Sequence, residues 1–430
     1  MGFLNLESHT KNTLRVSISF FLLFYGVLCT EFIFQPLIES YSRRGYNVEA
    51  SDGYSFLAIT YLVSTFACFF MTPLVNILTP KWAMAIGMST NWIAQAAVLF
   101  MNRYLQYAVM VLLGCGTVLY WVAQGQYITD NCTDKTREKN TSLQWGFFKI
   151  SLIVGGITYF IYFQNTTVDE QVENGKIQYF LIFMLFIITC AIINTAFLPS
   201  SKQSDRVQKT YKEATVEIFQ LMRTRRTLLL CTVYMLLGVS RAFWVSIFPA
   251  IVKFSSLIGT NTSKMFALTM ISTGVGQVSG AFLITGLGIR ARKLGRNNIV
   301  IFACVVQIIV MVIVCFGFPN DAVKRKSDGV GLLFPPNIFI AMFCSVFLGF
   351  VDAVIHTQVY SYIADFYKEE SSSAFAIFRC FCGITTVLLF VVAKFFGLYI
   401  IALLCSIMTI TAGISVYFIK PRPENLSSES

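Results

Sequence analysis

Long uninterrupted apolar runs fill most of this chain, and they constrain its fold more than any other feature. A helix of about 20 apolar residues crosses a hydrocarbon core about 30 Å thick. The runs are continuous rather than alternating, which favours helices over barrel strands. Hydrophobic residues make up 56% of the 430 and charged residues only 13%, which is roughly half the charged share of a soluble domain. The sequence therefore predicts an all-α, multi-pass protein that resides in a lipid bilayer.

We predict twelve transmembrane helices in two groups of six, separated by a polar segment. The first run is too long for a secretory signal peptide and has no clear cleavage site, so we expect it to be retained. The eleventh and twelfth runs almost abut at Lys394. The predicted helices are residues 16–38, 54–78, 82–101, 104–129, 143–163, 179–198, 227–252, 265–289, 298–318, 335–364, 373–393 and 395–419.

Positive charge in the loops predicts the orientation, because Lys and Arg accumulate on the cytoplasmic side of membrane proteins. With both termini in the cytoplasm, the inner segments hold 20 of the 33 basic residues and the outer loops hold 10. Residues 202–226 and 290–296 contribute most. The net charge of +11 therefore reflects topology, and we expect no nucleic-acid partner, since no basic patch is interleaved with base-stacking aromatic residues.

Sequence motifs for N-linked glycosylation give a second indication of the topology. Asn165 and Asn261 each begin an Asn-x-Ser/Thr motif in a loop that we predict to be outside, so both are candidate glycan sites. Asn131, Asn140 and Asn425 match the same pattern in segments predicted to be inside. We expect those three to carry no glycan.

The chain also contains an internal repeat. In the fourth predicted helix, Leu113-Gly114 is followed by Tyr-Ile-Thr-Asp130, and in the tenth helix Leu348-Gly349 is followed by Tyr-Ile-Ala-Asp365, at a constant offset of 235. Two parallel six-helix repeats describe the major facilitator architecture. Residues 1–199 then form the first half, residues 200–226 a central cytoplasmic loop, and residues 227–430 the second half with a short cytoplasmic tail. In the central loop, charged and apolar residues alternate, which fits either an interfacial amphipathic helix or a solvated linker.

Six ionisable groups lie at membrane depth, where each costs about 2.5–3.5 kcal/mol on insertion scales unless a partner or water compensates for it. Asp352 and His356 are four residues apart and share one helix face. Arg379 lies at a matching depth on the next helix. We predict that Arg379 pairs with Asp352 while His356 titrates beside them. The pair is either a proton or substrate relay, or a structural lock between helices ten and eleven.

Lys149 is the repeat counterpart of Arg379, but Thr117 occupies the place of Asp352 in the first half. Lys149 therefore either contacts Gln124, Tyr120 or backbone carbonyls of helix four, or extends its ammonium group toward the surface.

Glu31 in helix one and Arg241 in helix seven form the other pair of opposite sign. In a major facilitator fold, helices one, four, seven and ten line the central cavity. Glu31, Gln124, Arg241 and Asp352 are then expected to face it, as a cavity for a small polar solute or as a fixed internal network of charges.

Cysteine and histidine usage indicates no catalytic or metal centre. The 12 Cys are scattered without a Cys-x-x-Cys motif, and there are only two His. Buried single Cys behave as small hydrophobic residues. We expect no metal, no cofactor and no enzymatic activity.

Two motifs resemble the signature of the Unc-ninety-three family. The first motif runs from Gly114 to Thr129 as GCGTVLYWVAQGQYIT, and the second is LGFVDAVIHTQ from Leu348 to Gln358, followed by AFAIFR up to Arg379. The residues of this chain that carry the resemblance are Gly114, Trp121, Gln124, Gly125, Tyr127, Asp352, Thr357 and Gln358.

The resemblance implies a major facilitator fold in proteins that often regulate rather than transport. One member is an accessory component of a two-pore potassium channel, another escorts Toll-like receptors that sense nucleic acids, and others are orphan candidate transporters. Major facilitator proteins usually carry a Gly-x-x-x-Asp-Arg-x-Gly-Arg-Arg loop after helix two, but here residues 73–82 read PLVNILTPKW. We therefore expect a regulatory or escort protein of the plasma or endolysosomal membrane that acts on an ion channel, with a secondary transporter as the alternative.

Overall fold

The computed structural model describes residues 7–49, 52–133, 136–163, 166, 168–200, 210–258, 262–287 and 294–419. Within these residues, eleven helical segments are long and apolar enough to cross a membrane. One of them belongs to the 47-residue helical stretch Asp52–Val98, which breaks at Thr79, where φ is 66° and ψ is 150°. A residue in this left-handed region interrupts the helix, so the stretch supplies two spans. The predicted all-helical, multi-pass architecture is confirmed.

We number the membrane helices α1 to α12, and α2 and α3 are the parts of Asp52–Val98 before and after Thr79. The others are α1 Ser8–Arg43, α4 Arg103–Asp130, α5 Arg137–Tyr162, α6 Ile177–Ala196, α7 Arg225–Phe254, α8 Thr262–Leu287, α9 Arg296–Gly317, α10 Ile338–Phe366, α11 Ser371–Phe395 and α12 Leu398–Tyr417. A π-helical turn, Phe243–Ile247, interrupts α7. Two shorter helices, Val168–Glu173 and Tyr211–Met222, precede α6 and α7 respectively.

Helices α1 and α5 begin earlier than their apolar runs predict, because polar turns extend both of them. The Thr10 hydroxyl donates to Asn140 Oδ1 at 3.1 Å, and Asn12 Nδ2 donates to Asn131 Oδ1 at 2.8 Å. These bonds join the first turns of α1 to the start of α5 and the end of α4. Hydropathy does not detect such turns, because their stability comes from tertiary hydrogen bonds.

The central segment forms an amphipathic helix over Tyr211–Met222, while residues 201–209 lie outside the described part of the chain. Thr210 and Glu213 cap this linker helix reciprocally, as in a capping box. Its apolar face is buried at Ile218, and Phe219 stacks on Phe69 of α2 with ring centroids 5.5 Å apart. Residues 211–222 therefore form the amphipathic helix, rather than the solvated linker, of the two structures that the sequence allowed.

We call the end of the bundle that carries this helix the linker end. The first turns of α1 and α5 lie there, and so does the end of α12, since Asn297 Nδ2 at the start of α9 donates to the carbonyl oxygens of Val416 and Ile419 at 2.9 and 2.8 Å. Both ends of the described chain therefore share one side of the bundle. That this side faces the cytoplasm stays a prediction from the loop charges.

Glycosylation tests the orientation directly. We expect Asn165→Gln and Asn261→Gln each to remove one glycan, seen as a stepwise loss of apparent mass that glycosidase treatment reproduces. Both asparagines lie outside the described residues. Asn140→Gln serves as the control and should not change the mass, because the Asn140 side chain is buried at the linker end. A glycan on Asn140 would reverse the predicted topology.

The repeated glycines have the same packing role in the two halves. A Cβ atom on Gly114 of α4 would lie 2.9 Å from the carbonyl oxygen of Thr60 in α2, and one on Gly349 of α10 would lie 2.1 Å from that of Thr273 in α8. Small residues let membrane helices approach closely. Helices α4 and α2 therefore pack as α10 and α8 do, which explains why the Leu-Gly pair recurs.

We expect Gly349→Ala to destabilise the folded protein by about 1–3 kcal/mol, because the added methyl group overlaps the α8 backbone. Gly286→Ala in α8 is the matched control, since a Cβ there has no neighbour within 4 Å. Thermal unfolding in detergent measures both variants. Equal melting temperatures for the two variants would contradict the assigned role of Gly349.

Candidate functional site

The buried carboxylate of Asp352 pairs with Lys149, so the predicted pairing with Arg379 is wrong. The Lys149 ammonium lies 4.0 Å from Asp352 Oδ2, and Gln277 Nε2 of α8 donates to the same oxygen at 2.8 Å. Lys149 is on α5 and Asp352 is on α10, so the pair joins the two halves. A single carboxylate is thereby compensated by one charge and one hydrogen bond, as burial requires.

Aromatic rings surround the Lys149 ammonium. Its nitrogen lies 4.9 Å from the ring centroid of Trp145, 4.7 Å from that of Phe148 and 5.2 Å from that of Trp244. Rings at these distances attract a cation through their quadrupoles. Lys149 therefore neither extends to the surface nor uses Gln124 or Tyr120 as its partner, which corrects both sequence interpretations.

His356 lies beside the same carboxylate, as expected, but it is enclosed. Its Nδ1 is 2.9 Å from the backbone oxygen of Asp352 and 3.3 Å from Asp352 Oδ1. The imidazole stacks on Trp145 with centroids 4.2 Å apart and planes inclined by 16°. Trp145 thus contacts both His356 and Lys149. Sequence analysis missed this role, although Trp145 precedes Lys149 by one helical turn.

Arg379 is held by a different chain of contacts. Its Nη2 donates to the Tyr360 hydroxyl at 2.8 Å, and that hydroxyl donates to Gln124 Oε1 at 2.9 Å. The guanidinium also lies over the Trp121 ring, 4.1 Å from its centroid. Gln124 and Trp121 belong to α4, so this chain is a second connection between the halves. This connection gives a structural role to two residues of the first family motif, Trp121 and Gln124.

A cavity of about 190 Å³ opens beside Arg379. Helices α1 to α4 form most of its wall, and α7 and α11 complete it. Three of the predicted charged residues line the cavity, namely Glu31, Arg241 and Arg379. Gln124 and Asp352 do not line it, which corrects the expectation that all the central polar residues share one cavity. The Arg241 guanidinium lies 5.9 Å from the Tyr61 ring centroid.

The remaining motif residues contribute packing and backbone bonds. A Cβ on Gly125 would lie 2.6 Å from the Phe375 ring, so α4 and α11 are in close contact there. Tyr127 donates to the Pro199 carbonyl at 3.0 Å, and Thr357 donates to the Val354 carbonyl at 2.8 Å. The buried amide of Gln358 has no hydrogen-bond partner among the described residues.

A cluster of four charges crosses between the halves at the linker end. Arg137 Nη1 lies 2.8 Å from Asp365 Oδ1, while Arg296 bonds both Asp365 Oδ2 and Glu138 Oε1 at 2.7 Å. We call Arg137, Glu138, Arg296 and Asp365 the linker-end ion cluster. From sequence, Arg296 was interpreted as part of a basic cytoplasmic loop and Asp365 only as a marker of the repeat. The sequence signal that could have pointed to this cluster was the repeat, in which Asp365 occupies the place of Asp130.

In the part of the chain that the structure describes, no group of three or more His, Cys, Asp or Glu is placed to hold a metal ion. All 12 cysteines are free.

Comparison with known proteins relates most of the chain to one family and one fold. A family model described as ion channel regulatory protein UNC-93 matches residues 44–417. UNC93-like protein MFSD11 of Xenopus tropicalis is 22% identical, with 95% of each chain covered, and UNC93-like protein 1 of Arabidopsis thaliana is 25% identical over 29% of this chain and 28% of its own.

Solved structures of major facilitator transporters share the fold. FucP in the outward conformation superimposes with a TM-score of 0.64 at 13% identity, covering 97% of this chain and all of FucP. The human organic anion transporter MFSD10 gives a TM-score of 0.68 at 12% identity, covering 96% of this chain and all of MFSD10. The predicted major facilitator type of fold is confirmed.

Proposed function

The chain belongs to the UNC-93 family, and we propose from this membership that it acts as a regulatory or accessory subunit of an ion channel. The observation that carries the proposal is the match to the ion channel regulatory family over residues 44–417, which includes helices of both halves. Potassium channels are the first to test. The same proposal includes a role as an escort, in which the protein accompanies a membrane receptor instead of a channel. We place the protein in the plasma or endolysosomal membrane with both termini in the cytoplasm.

The connection between α2 and α3 supports a regulatory role. In transporting major facilitator proteins, a charged loop at this place usually gates the inner side. Here a single residue, Thr79, separates the two helices, and residues 73–82 contain neither the acidic residue nor the Gly-Arg end. The charges that join the halves instead form the linker-end ion cluster and the Lys149–Asp352 pair. These buried pairs favour one fixed arrangement of the two halves.

Quantitative co-purification tests this proposal. The tagged full-length protein is purified from its native membranes in mild detergent. The molar ratio of every co-eluting protein to the tagged protein is then measured. We expect near-stoichiometric recovery of a channel, and currents of that channel that differ with and without this protein. Recovery of the protein alone, together with saturable solute uptake into liposomes that contain only this protein, would overturn the proposal.

A secondary transporter of a small polar solute is the second candidate, because residues of both halves line one cavity. Arg241 and Arg379 come from the second half, whereas Glu31 comes from the first. Proton coupling would then involve Asp352 and His356. This candidate predicts that Asp352→Asn abolishes uptake while the yield of folded protein is unchanged. A loss of folded protein would instead assign Asp352 to structure.

A further inference from the structure

The central cavity has an excess of positive charge. Of the described residues in the middle of the bundle, the cations are Lys149, Arg241 and Arg379, and the carboxylates are Glu31 and Asp352. Lys149 is compensated by Asp352 at 4.0 Å. The two arginines that line the cavity therefore share one carboxylate, Glu31. An uncompensated charge at membrane depth is costly, so this cavity favours an anion.

The guanidinium of Arg379 is oriented before any ligand arrives. The Tyr360 hydroxyl fixes one of its terminal nitrogens at 2.8 Å and is itself fixed by Gln124, and both of these side chains are buried. Trp121 supports the guanidinium plane from one face. Arg379 Nε is buried and has no hydrogen-bond partner among the described residues. A guanidinium has five N–H donors in a rigid planar fork that matches a carboxylate.

The rest of the wall suits a small ligand with an apolar body. Phe24 of α1, Leu113 of α4 and Trp121 line the cavity beside the arginines. Its volume of about 190 Å³ is well above the roughly 10–15 Å³ that one water molecule needs. It is smaller than the roughly 300–1,000 Å³ pockets that hold drug-sized ligands. The cavity therefore suits a ligand smaller than a typical drug.

We propose that this cavity is a binding site for a small organic monocarboxylate. The carboxylate contacts Arg241 and Arg379, and the apolar body packs against Phe24 and Trp121. The inference goes beyond the proposed function, because such a site can regulate a channel partner as well as carry a transported solute.

Binding to the purified full-length protein tests the site without any partner, so its outcome is independent of the co-purification experiment. The probe is benzoate, and benzamide is the neutral molecule of similar shape. We expect benzoate to raise the melting temperature and to bind saturably by calorimetry, and benzamide to bind at least tenfold more weakly. Arg379→Gln should weaken benzoate binding at least tenfold. Lys139→Gln is the control and should have no effect, since Lys139 is an exposed residue of α5.

Glu31→Gln keeps the test decisive if Arg379→Gln fails to fold. Removing the carboxylate that competes for the arginines should tighten benzoate binding several-fold, and a misfolded protein cannot gain affinity. The proposal is overturned if benzoate and benzamide act alike, if chloride at equal concentration reproduces the whole effect, or if Glu31→Gln weakens binding.

Discussion

Lys149→Met is expected to destabilise the folded protein by about 3–5 kcal/mol, because it leaves the Asp352 carboxylate buried without a counter-charge. Gln277 Nε2 would still donate to Asp352 Oδ2, and the His356 imidazole would remain 3.3 Å from Asp352 Oδ1. The loss should appear as a large fall in melting temperature in detergent and in the yield of monodisperse protein. Lys139→Met is the matched control, because Lys139 lies on the same helix and is exposed. We expect it to change stability by less than about 0.5 kcal/mol.

The double variant Lys149→Met with Asp352→Asn separates a charge effect from a packing effect. An asparagine can still accept the bond from Gln277 and carries no charge that needs compensation. Much of the lost stability should therefore return, which corresponds to a coupling of about 0.5–3 kcal/mol between the two positions. If the two single effects simply add, Lys149 acts by filling space among its aromatic neighbours, and the ion pair is not the reason for its burial.

Asp365→Asn is expected to open the linker end and to cost roughly 3 kcal/mol, as the loss of one partner from a buried ion network does. Asp365 joins Arg137 of the first half to Arg296 of the second, at 2.8 and 2.7 Å. After the change, Glu138 is the remaining carboxylate of the cluster beside two guanidinium groups. Hydrogen exchange of residues 131–141 and 361–367 should become faster, while exchange of the helix centres changes little.

Glu369→Gln provides the comparison for Asp365→Asn. Glu369 is an exposed acidic residue four positions later in the chain. Its replacement removes the same charge from the same end of the bundle without touching the cluster. An equal increase in exchange for both variants would show that net charge, rather than the bridge between the halves, controls this end.

The sequence alone was sufficient for the number, type and order of the membrane helices. A bilayer offers no hydrogen bonds to a backbone, so a span must be a helix or a strand of a closed barrel, and continuous apolar runs select the helix. Apolar character is local and can be summed along a window of residues. The internal repeat was also detectable from sequence, because close helix packing requires a glycine at the equivalent positions Gly114 and Gly349 in the two halves.

The partners of the buried charges were decided only by the tertiary structure. Sequence spacing placed Arg379 at the depth of Asp352, but depth does not fix which way each helix is rotated or which helix is its neighbour. The packing of α5 against α8 and α10 brings Lys149, rather than Arg379, to Asp352, and Arg379 turns to Tyr360 and the cavity instead. The linker-end ion cluster likewise joins residues 228 and 158 positions apart in the chain. Such contacts depend on how two halves fit together, and no local property of a sequence records that fit.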